Sequence, residues 1–137
     1  MKSELSKRNP YWIEKHRYYE LRHFCLQYPI WKSSYNSLYG LSKHIHISDV
    51  TNSSKTKNIS DPTAMIAGKR MFYSDRMKMI TETAKNTDES LAKYLVCGVT
   101  EGLSYDTLRA RHNIPCCRDT YYDMYRKFFW MLSNVRD

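Results

Sequence analysis

The residues best placed to do chemistry lie on the last helix that the sequence predicts, which begins near Cys117. Apolar residues recur there at spacings of three and four, so we expect a buried stripe of Tyr121, Met124, Tyr125, Phe128 and Leu132. At 100° per residue, the opposite face carries Asp119, Asp123, Arg126, Lys127 and Trp130, with Arg118 and Tyr122 at its edge. Cations and hydrogen-bonding side chains on one helix face are suited to contacting nucleic acid.

Each of these side chains has an expected role if the helix enters the DNA major groove. Contacts to base edges usually come from the N-terminal part of such a helix, so Arg118 and Tyr122 are the predicted readers. Asp119 could accept a hydrogen bond from a cytosine amino group. Phosphate contacts are expected from the remaining basic residues, namely Arg126 and Lys127 on this helix and Arg109 and Arg111 on the preceding one.

The elements that would position these residues are a short helix, a tight turn and the last helix. Gly102 predicts the end of one helix, and Ser104 is a typical N-cap for the next. The segment Asn113-Ile114-Pro115 predicts its end, since Asn tolerates the left-handed conformation and Pro cannot continue a helix. This pattern, over about residues 103–133, is typical of a helix-turn-helix.

A structural corner of three helices that never touches DNA is the alternative interpretation of the same segment. Residues 102–137 carry six Lys/Arg against four Asp/Glu, so their net charge is only +2. Asp119 and Asp123 would repel a polyanion if they had no partners. Trp130 projects from a face that should be solvated, so we expect an N-terminal aromatic segment or another subunit to cover it.

Aromatic and basic residues are interleaved near the N-terminus. Asn9 and Pro10 predict the start of a first helix, Pro29 its end, and a second helix from Ile30 to about Tyr39 would complete a helical hairpin. Such residues could stack on bases or grip phosphates, or they could pack against the rest of the domain. The predicted partner surface consists of Tyr11, Trp12, Arg17, Arg22, Trp31 and Trp130.

The chain as a whole is predicted to be all-α, with three parts. Residues 1–41 form the hairpin, residues 42–60 form a linker rich in Ser, Thr, Asn and Lys, and residues 61–137 form a helical domain that ends in the helix-turn-helix. Asp61-Pro62 predicts the start of a helix that runs to about Lys85, and Thr87 is the predicted cap of the next. Strand-like alternation of useful length is absent from the sequence.

Composition narrows the function classes. The formal net charge is +8, of which residues 1–57 supply +6, and a basic balance favours nucleic acid as a partner. The sequence shows neither a membrane-spanning run nor a secretory signal, so we expect an intracellular, cytoplasmic protein. Cys116-Cys117 with His112, and His44-x-His46, are weak metal signals, and we expect neither a metal nor a cofactor. Catalytic motifs are absent, and an enzyme is not expected.

The sequence resembles the small phage late-transcription activators of the RinA and ArpU kind. The C-terminal part of those proteins is similar to region four of sigma factors. The resemblance lies in Gly102-Leu103-Ser104-Tyr105, Leu108, Asn113-Ile114 and residues 118–122, with the upstream segment YYELRHFCLQYPIWKSSYNSL. It implies a small transcription regulator that binds double-stranded promoter DNA, contacts RNA polymerase and has no catalytic residues. Ser104 would then cap the positioning helix, and Arg118, Thr120, Tyr121 and Tyr122 would begin the recognition helix.

Two other functions fit the same sequence. A small DNA-packaging subunit could use a helix-turn-helix within a homo-oligomeric ring. A phage accessory or inhibitor protein could bind a host protein through its aromatic, basic surface, with the helix-turn-helix only architectural. Asp119 and Asp123 would cause no difficulty in that last case, since no polyanion would face them.

Overall fold

The structure is a computed structural model that describes the backbone of residues 7–44 and 62–137 and the side chains of residues 7–38 and 62–137. Within these ranges the chain is all-α and contains no strand. None of the helices there is both long enough and apolar enough to cross a bilayer. The helices are α1 (Lys15–Leu26), α2 (Tyr28–His44), α3 (Pro62–Thr87), α4 (Ala92–Glu101), α5 (Tyr105–His112) and α6 (Arg118–Val135).

The chain forms two compact units whose division differs from the predicted one. The first comprises Met1–Pro29 with Lys78–Asp137, and the second comprises Ile30–Met77. Helix α1 belongs to the first unit because it packs against α4 and α6. Of the predicted linker, residues 42–44 continue α2, while residues 45–60 and the expected cap Asp61 lie outside the described residues.

The predicted start of the first helix at Asn9 and Pro10 is wrong. Asn9 closes a turn instead, because its Oδ1 accepts from the Tyr11 N–H at 2.9 Å and its carbonyl accepts from the Trp12 N–H at 3.0 Å. Glu14 is the N-cap of α1, and its carboxylate accepts from the backbone N–H groups of residues 16 and 17. Asn-Pro is typical of turns as well as of helix starts, and here the turn prevails.

The predicted cap at Thr87 is also wrong. Thr87 is the last residue of α3, where its hydroxyl donates to the Thr83 carbonyl at 2.7 Å. The next residue, Asp88, accepts from the backbone N–H groups of Ser90 and Leu91 and so organises the turn before α4. A hydrogen bond from the Ser90 hydroxyl, together with these backbone bonds, holds the pKa of Asp88 below its usual value.

The boundaries predicted between α4, α5 and α6 are confirmed. Gly102 follows α4 in the left-handed conformation with φ +69°, and Asn113 follows α5 with φ +51°. Ser104 caps α5 by accepting from the Thr107 N–H at 3.3 Å. The connection to α6 is fixed to the core, because Ile114 is buried and the Tyr105 hydroxyl donates to the Cys116 carbonyl at 2.6 Å.

Helix α6 buries a wider stripe than its periodicity predicts. Tyr121, Phe128 and Leu132 are fully buried as expected, but Met124 and Tyr125 are only half-buried. Phe129, which the prediction omits, is 1% exposed. The stripe is wide because α6 packs against two helices, α1 and α4.

Helix α1 contacts α6 through aromatic rings and through hydrogen bonds from Arg17 to the C-terminal end of α6. The rings of Tyr18 and Phe129 meet edge to face, with centroids 5.2 Å apart, and the hydroxyls of Tyr18 and Tyr125 lie 2.8 Å apart. At the C-terminal end of α6, the Arg17 guanidinium donates to Ser133 Oγ and the Ser133 carbonyl, both at 3.2 Å, and to the Arg136 carbonyl. Arg17 therefore caps α6 and is not free for a partner.

Tyr121 of α6 packs directly against Gly98 of α4. A Cβ built on Gly98 would overlap the hydroxyl oxygen of Tyr121. That hydroxyl is buried and has no hydrogen-bond partner within the described part of the chain. Only glycine at position 98 leaves room for the ring.

We expect Gly98→Ala to destabilise the protein, because the buried Tyr121 ring cannot move away from the added methyl group. Overpacking of this kind costs about 1–3 kcal/mol, which outweighs the gain in helix propensity. Gly68→Ala is the matched control, since a Cβ there meets no atom within 4 Å. It should stabilise α3 by roughly 0.5–1 kcal/mol. Urea unfolding followed by circular dichroism measures both changes.

A second variant identifies the atom responsible. Tyr121→Phe removes a buried hydroxyl that lacks a partner, so it should cost little or even stabilise the fold. Combined with Gly98→Ala, it should recover most of the lost stability. A double variant no more stable than Gly98→Ala alone would contradict this explanation.

Candidate nucleic-acid interface

Two cationic side chains predicted to contact phosphates are exposed on α5. Arg109 and Arg111 lie in its last turn together with His112. Basic residues there are favourable to the fold as well, since the C-terminal end of a helix carries partial negative charge. The two arginines are therefore available to a ligand without any loss of buried contacts.

At the start of α6, the predicted base readers lie one turn apart. Arg118 is exposed, and its guanidinium lies over the Tyr122 ring at 5.7 Å from the centroid. Tyr122 is half-buried, and its hydroxyl accepts from the Tyr105 N–H at 3.4 Å. The tyrosine thus connects the start of α5 to α6, while its ring supports the arginine.

The acidic residues of α6 differ in their surroundings. Asp123 pairs with Arg126 at 3.0 Å, with side chains that are 63% and 26% exposed. Asp119 lies in the first turn of α6, where the helix dipole favours a carboxylate. One open pocket is lined by both acids, two arginines and Tyr122, so its formal charges balance: Arg118, Asp119, Tyr122, Asp123 and Arg126.

Lys127 does not line that pocket. It is half-buried on α6, and its charge contributes to lowering the pKa of Asp88, in the turn between α3 and α4. The predicted face is therefore divided, because one residue along a helix corresponds to a rotation of 100°. Arg126 lies on the side of the pocket, and Lys127 lies toward the turn.

The residues of the predicted partner surface lie in different surroundings. Tyr11 covers Trp130 edge to face at 5.6 Å, as expected for an N-terminal segment, and Lys7 lies 5.8 Å from the Trp12 ring centroid. Arg17 is engaged with α6, as described above. Trp31 belongs to the second unit and is 5% exposed, so little of its ring is accessible to a partner.

Arg22 remains exposed, and with Tyr122 it lines a second pocket, a cavity of about 220 Å³. The wall includes Tyr18 and Tyr19 of α1, Ser104 at the start of α5, and Tyr125. The sequence predicts Arg22 and Tyr122 on separate surfaces, although the interleaved aromatic and basic residues of YYELR indicate such a site. The fold places both residues on the wall of one cavity.

The four cysteines are free thiols with different surroundings. Burial raises the pKa of Cys25, Cys97 and Cys116, and for Cys97 the nearby Glu101 carboxylate adds to the effect. Cys117 is the N-cap of α6, and hydrogen bonds from Thr120 hold its pKa below the usual value. The exposed Cys117 is thus the thiol most easily ionised.

Comparison with protein-family models, with curated proteins and with solved structures found no match to this chain.

We expect thiol alkylation to follow this order. At about pH 7.5, iodoacetamide should modify Cys117 first, roughly tenfold faster than Cys97 or Cys116, because the exposed thiolate is the reactive form. Cys25 should react only after unfolding. Peptide mass spectrometry over time measures the order, and Thr120→Val should slow the reaction of Cys117 alone. Equal rates for Cys25 and Cys117 would contradict the described packing.

Proposed function

We propose that this protein is a small phage-type transcription regulator that binds DNA through α5 and α6, used as a helix-turn-helix similar to region four of sigma factors. The observation that carries the proposal is the connection between these helices. Five residues, 113–117, join α5 to α6 through the left-handed Asn113 and the buried Ile114. Both helices present exposed arginines, as a pair of positioning and recognition helices requires.

In this proposal, the first half of α6 enters the major groove. Arg118 can form the bidentate contact to guanine that is the commonest specific contact to a base. Its position over Tyr122 reduces the rotamer freedom that binding would otherwise remove. Asp119 can accept from a cytosine amino group, which makes it a source of discrimination and not of affinity.

Phosphate contacts come from the surrounding cations. Arg109 and Arg111 lie on α5, Arg126 and Lys127 on α6, and Arg22 on α1. The pairing of Asp123 with Arg126 reduces the repulsion that an unpaired aspartate would exert on a polyanion. The balanced charges of the pocket leave most of the non-specific attraction to Arg22, Arg109 and Arg111.

The test is fluorescence anisotropy of a labelled random duplex, repeated from about 50 to 200 mM salt. Binding that weakens steeply with salt supports the proposal, because each phosphate contact releases a condensed counterion. Selection of a preferred site would follow. If the duplex does not bind at the lowest salt concentration, α5 and α6 have only an architectural role.

Once a preferred site is selected, variants of α6 should separate the roles. Arg118→Ala should cost about 1–3 kcal/mol on that site and relax its specificity. Arg126→Ala and Lys127→Ala should weaken binding to all sequences alike, with the salt slope smaller by about one contact. Lys69→Ala, on an exposed residue of the second unit, is the matched control for loss of one charge. Unchanged affinity in all three α6 variants would remove α6 from the interface.

Asp123 offers a further check on the same helix. Arg126→Ala leaves the Asp123 carboxylate without its partner, so part of the loss is new repulsion. Adding Asp123→Asn should therefore restore part of the affinity and part of the salt slope. A double variant that binds no better than Arg126→Ala would show that Asp123 does not face the DNA.

A second candidate function is binding to a host protein, as expected for an accessory or inhibitor protein. It is favoured by the large apolar side chains exposed in the second unit, where Ile30, Met65, Met71 and Phe72 are between 47% and 66% exposed. Cross-linking to RNA polymerase with no DNA present tests this function. Size-exclusion chromatography identifies the ring of a DNA-packaging subunit, which would elute as a large oligomer.

A further inference from the structure

Three side chains from α4 and α5 converge near the connection to α6. Cys97 and Glu101 lie one turn apart on α4, and His112 is the last residue of α5. The cysteine sulfur, a carboxylate oxygen and a ring nitrogen all lie within 4.8 Å of one another. The sequence groups His112 with Cys116 and Cys117 instead, because adjacency in the chain is the only signal that it contains.

The donor set has a definite chemistry. Thiolate, carboxylate and imidazole are the ligands that zinc takes in proteins, at about 2.0–2.3 Å, which places neighbouring donors about 3.3–3.8 Å apart around a tetrahedral ion. The three donor atoms need only small rotations to reach that spacing from separations within 4.8 Å. A thiolate and a carboxylate also balance the two positive charges of the ion.

The backbone around the three residues favours a cation as well. Glu101 is the last residue of α4, with Cys97 one turn before it, and His112 lies in the last turn of α5. The C-terminal end of a helix carries partial negative charge, so two helix ends contribute with the same sign. Arg109 and Arg111 are the opposing charges nearby in the chain, and both are exposed to solvent, where their effect is screened.

We propose that Cys97, Glu101 and His112 form a binding site for a first-row divalent metal ion, with zinc the preferred one. The fourth position is open to water or to a group from a bound partner. The ion bridges α4 to the end of α5, one residue before Asn113 begins the connection to α6. Metal binding therefore fixes the two helices relative to each other. This inference is independent of the proposed DNA binding, because it is tested without DNA.

Cobalt is the probe for the test, since a cobalt ion bound to thiolate has an intense charge-transfer band in the near ultraviolet. The reduced full-length protein, first treated with a chelator, is titrated with Co²⁺ and then with Zn²⁺ in competition. We expect one Co²⁺ per chain, a charge-transfer band, and its displacement by Zn²⁺. Zn²⁺ should also raise the Tm by several degrees, because it binds the folded state. The absence of a band and of a Tm shift in the wild-type protein would overturn the proposal.

Variants locate the site. Cys97→Ser should abolish the charge-transfer band, and Glu101→Gln and His112→Ala should each weaken Zn²⁺ binding at least tenfold. The double variant Cys116→Ser/Cys117→Ser is the matched control and should keep the band and the affinity. The reverse pattern, with the band lost in the control and kept in Cys97→Ser, would overturn the assignment. The Tm of each metal-free variant shows that it is folded.

Discussion

The contact between Tyr121 and Gly98 is the constraint on which the rest of the first unit depends. The fully buried ring occupies the space that any side chain at position 98 would need, so α6 can lie directly against α4. The same ring packs near Tyr105 of α5, with centroids 6.0 Å apart. One side chain therefore positions three helices. A buried hydroxyl without a partner is unfavourable, but the packing of the aromatic ring offsets that cost. Arg118 and Tyr122, the residues proposed to read bases, lie on the same helix turns as this anchor.

Helix α1 is the second element that holds α6 in place. Its contacts separate the features that are predictable from the sequence from those that are not. Gly102, Ser104 and Asn113 were predictable because a left-handed residue or an N-cap is a local requirement. The start of α1 and the cap before α4 were not predictable. Asn9 closes a turn while Glu14 caps α1, and Asp88 rather than Thr87 accepts from the backbone N–H groups before α4. Phe129 was missed for a different reason. The width of a buried stripe depends on how many helices pack against it, and the ring of Tyr18 that meets Phe129 comes from the other end of the chain.

The candidate sites show the same limit more sharply. Periodicity predicted which face of α6 is polar, and the exposure of Arg118 and Asp119 agrees with it. It could not show that Arg126 pairs with Asp123, or that Lys127 lies toward Asp88. Arg22 and Tyr122 are 100 residues apart in sequence but share one pocket. Contacts that join separate helices depend on tertiary packing, and a single sequence contains no direct signal for them.

The distribution of charge separates affinity from specificity in the proposed interface. A pocket whose two arginines and two aspartates balance attracts phosphate weakly, so Arg118 and Asp119 are suited to choosing among bases. In the proposed interface, attraction to the phosphate backbone of DNA must then come from cations on other helices. These are Arg22 on α1 and Arg109 and Arg111 on α5. This division explains why residues 102–137, at a net charge of +2, need not contain all the cations of the proposed DNA interface in a chain whose total charge is +8. If α6 reads bases while it carries acids, it depends on neighbouring helices for affinity, and the packing of α1 against α6 supplies one of them.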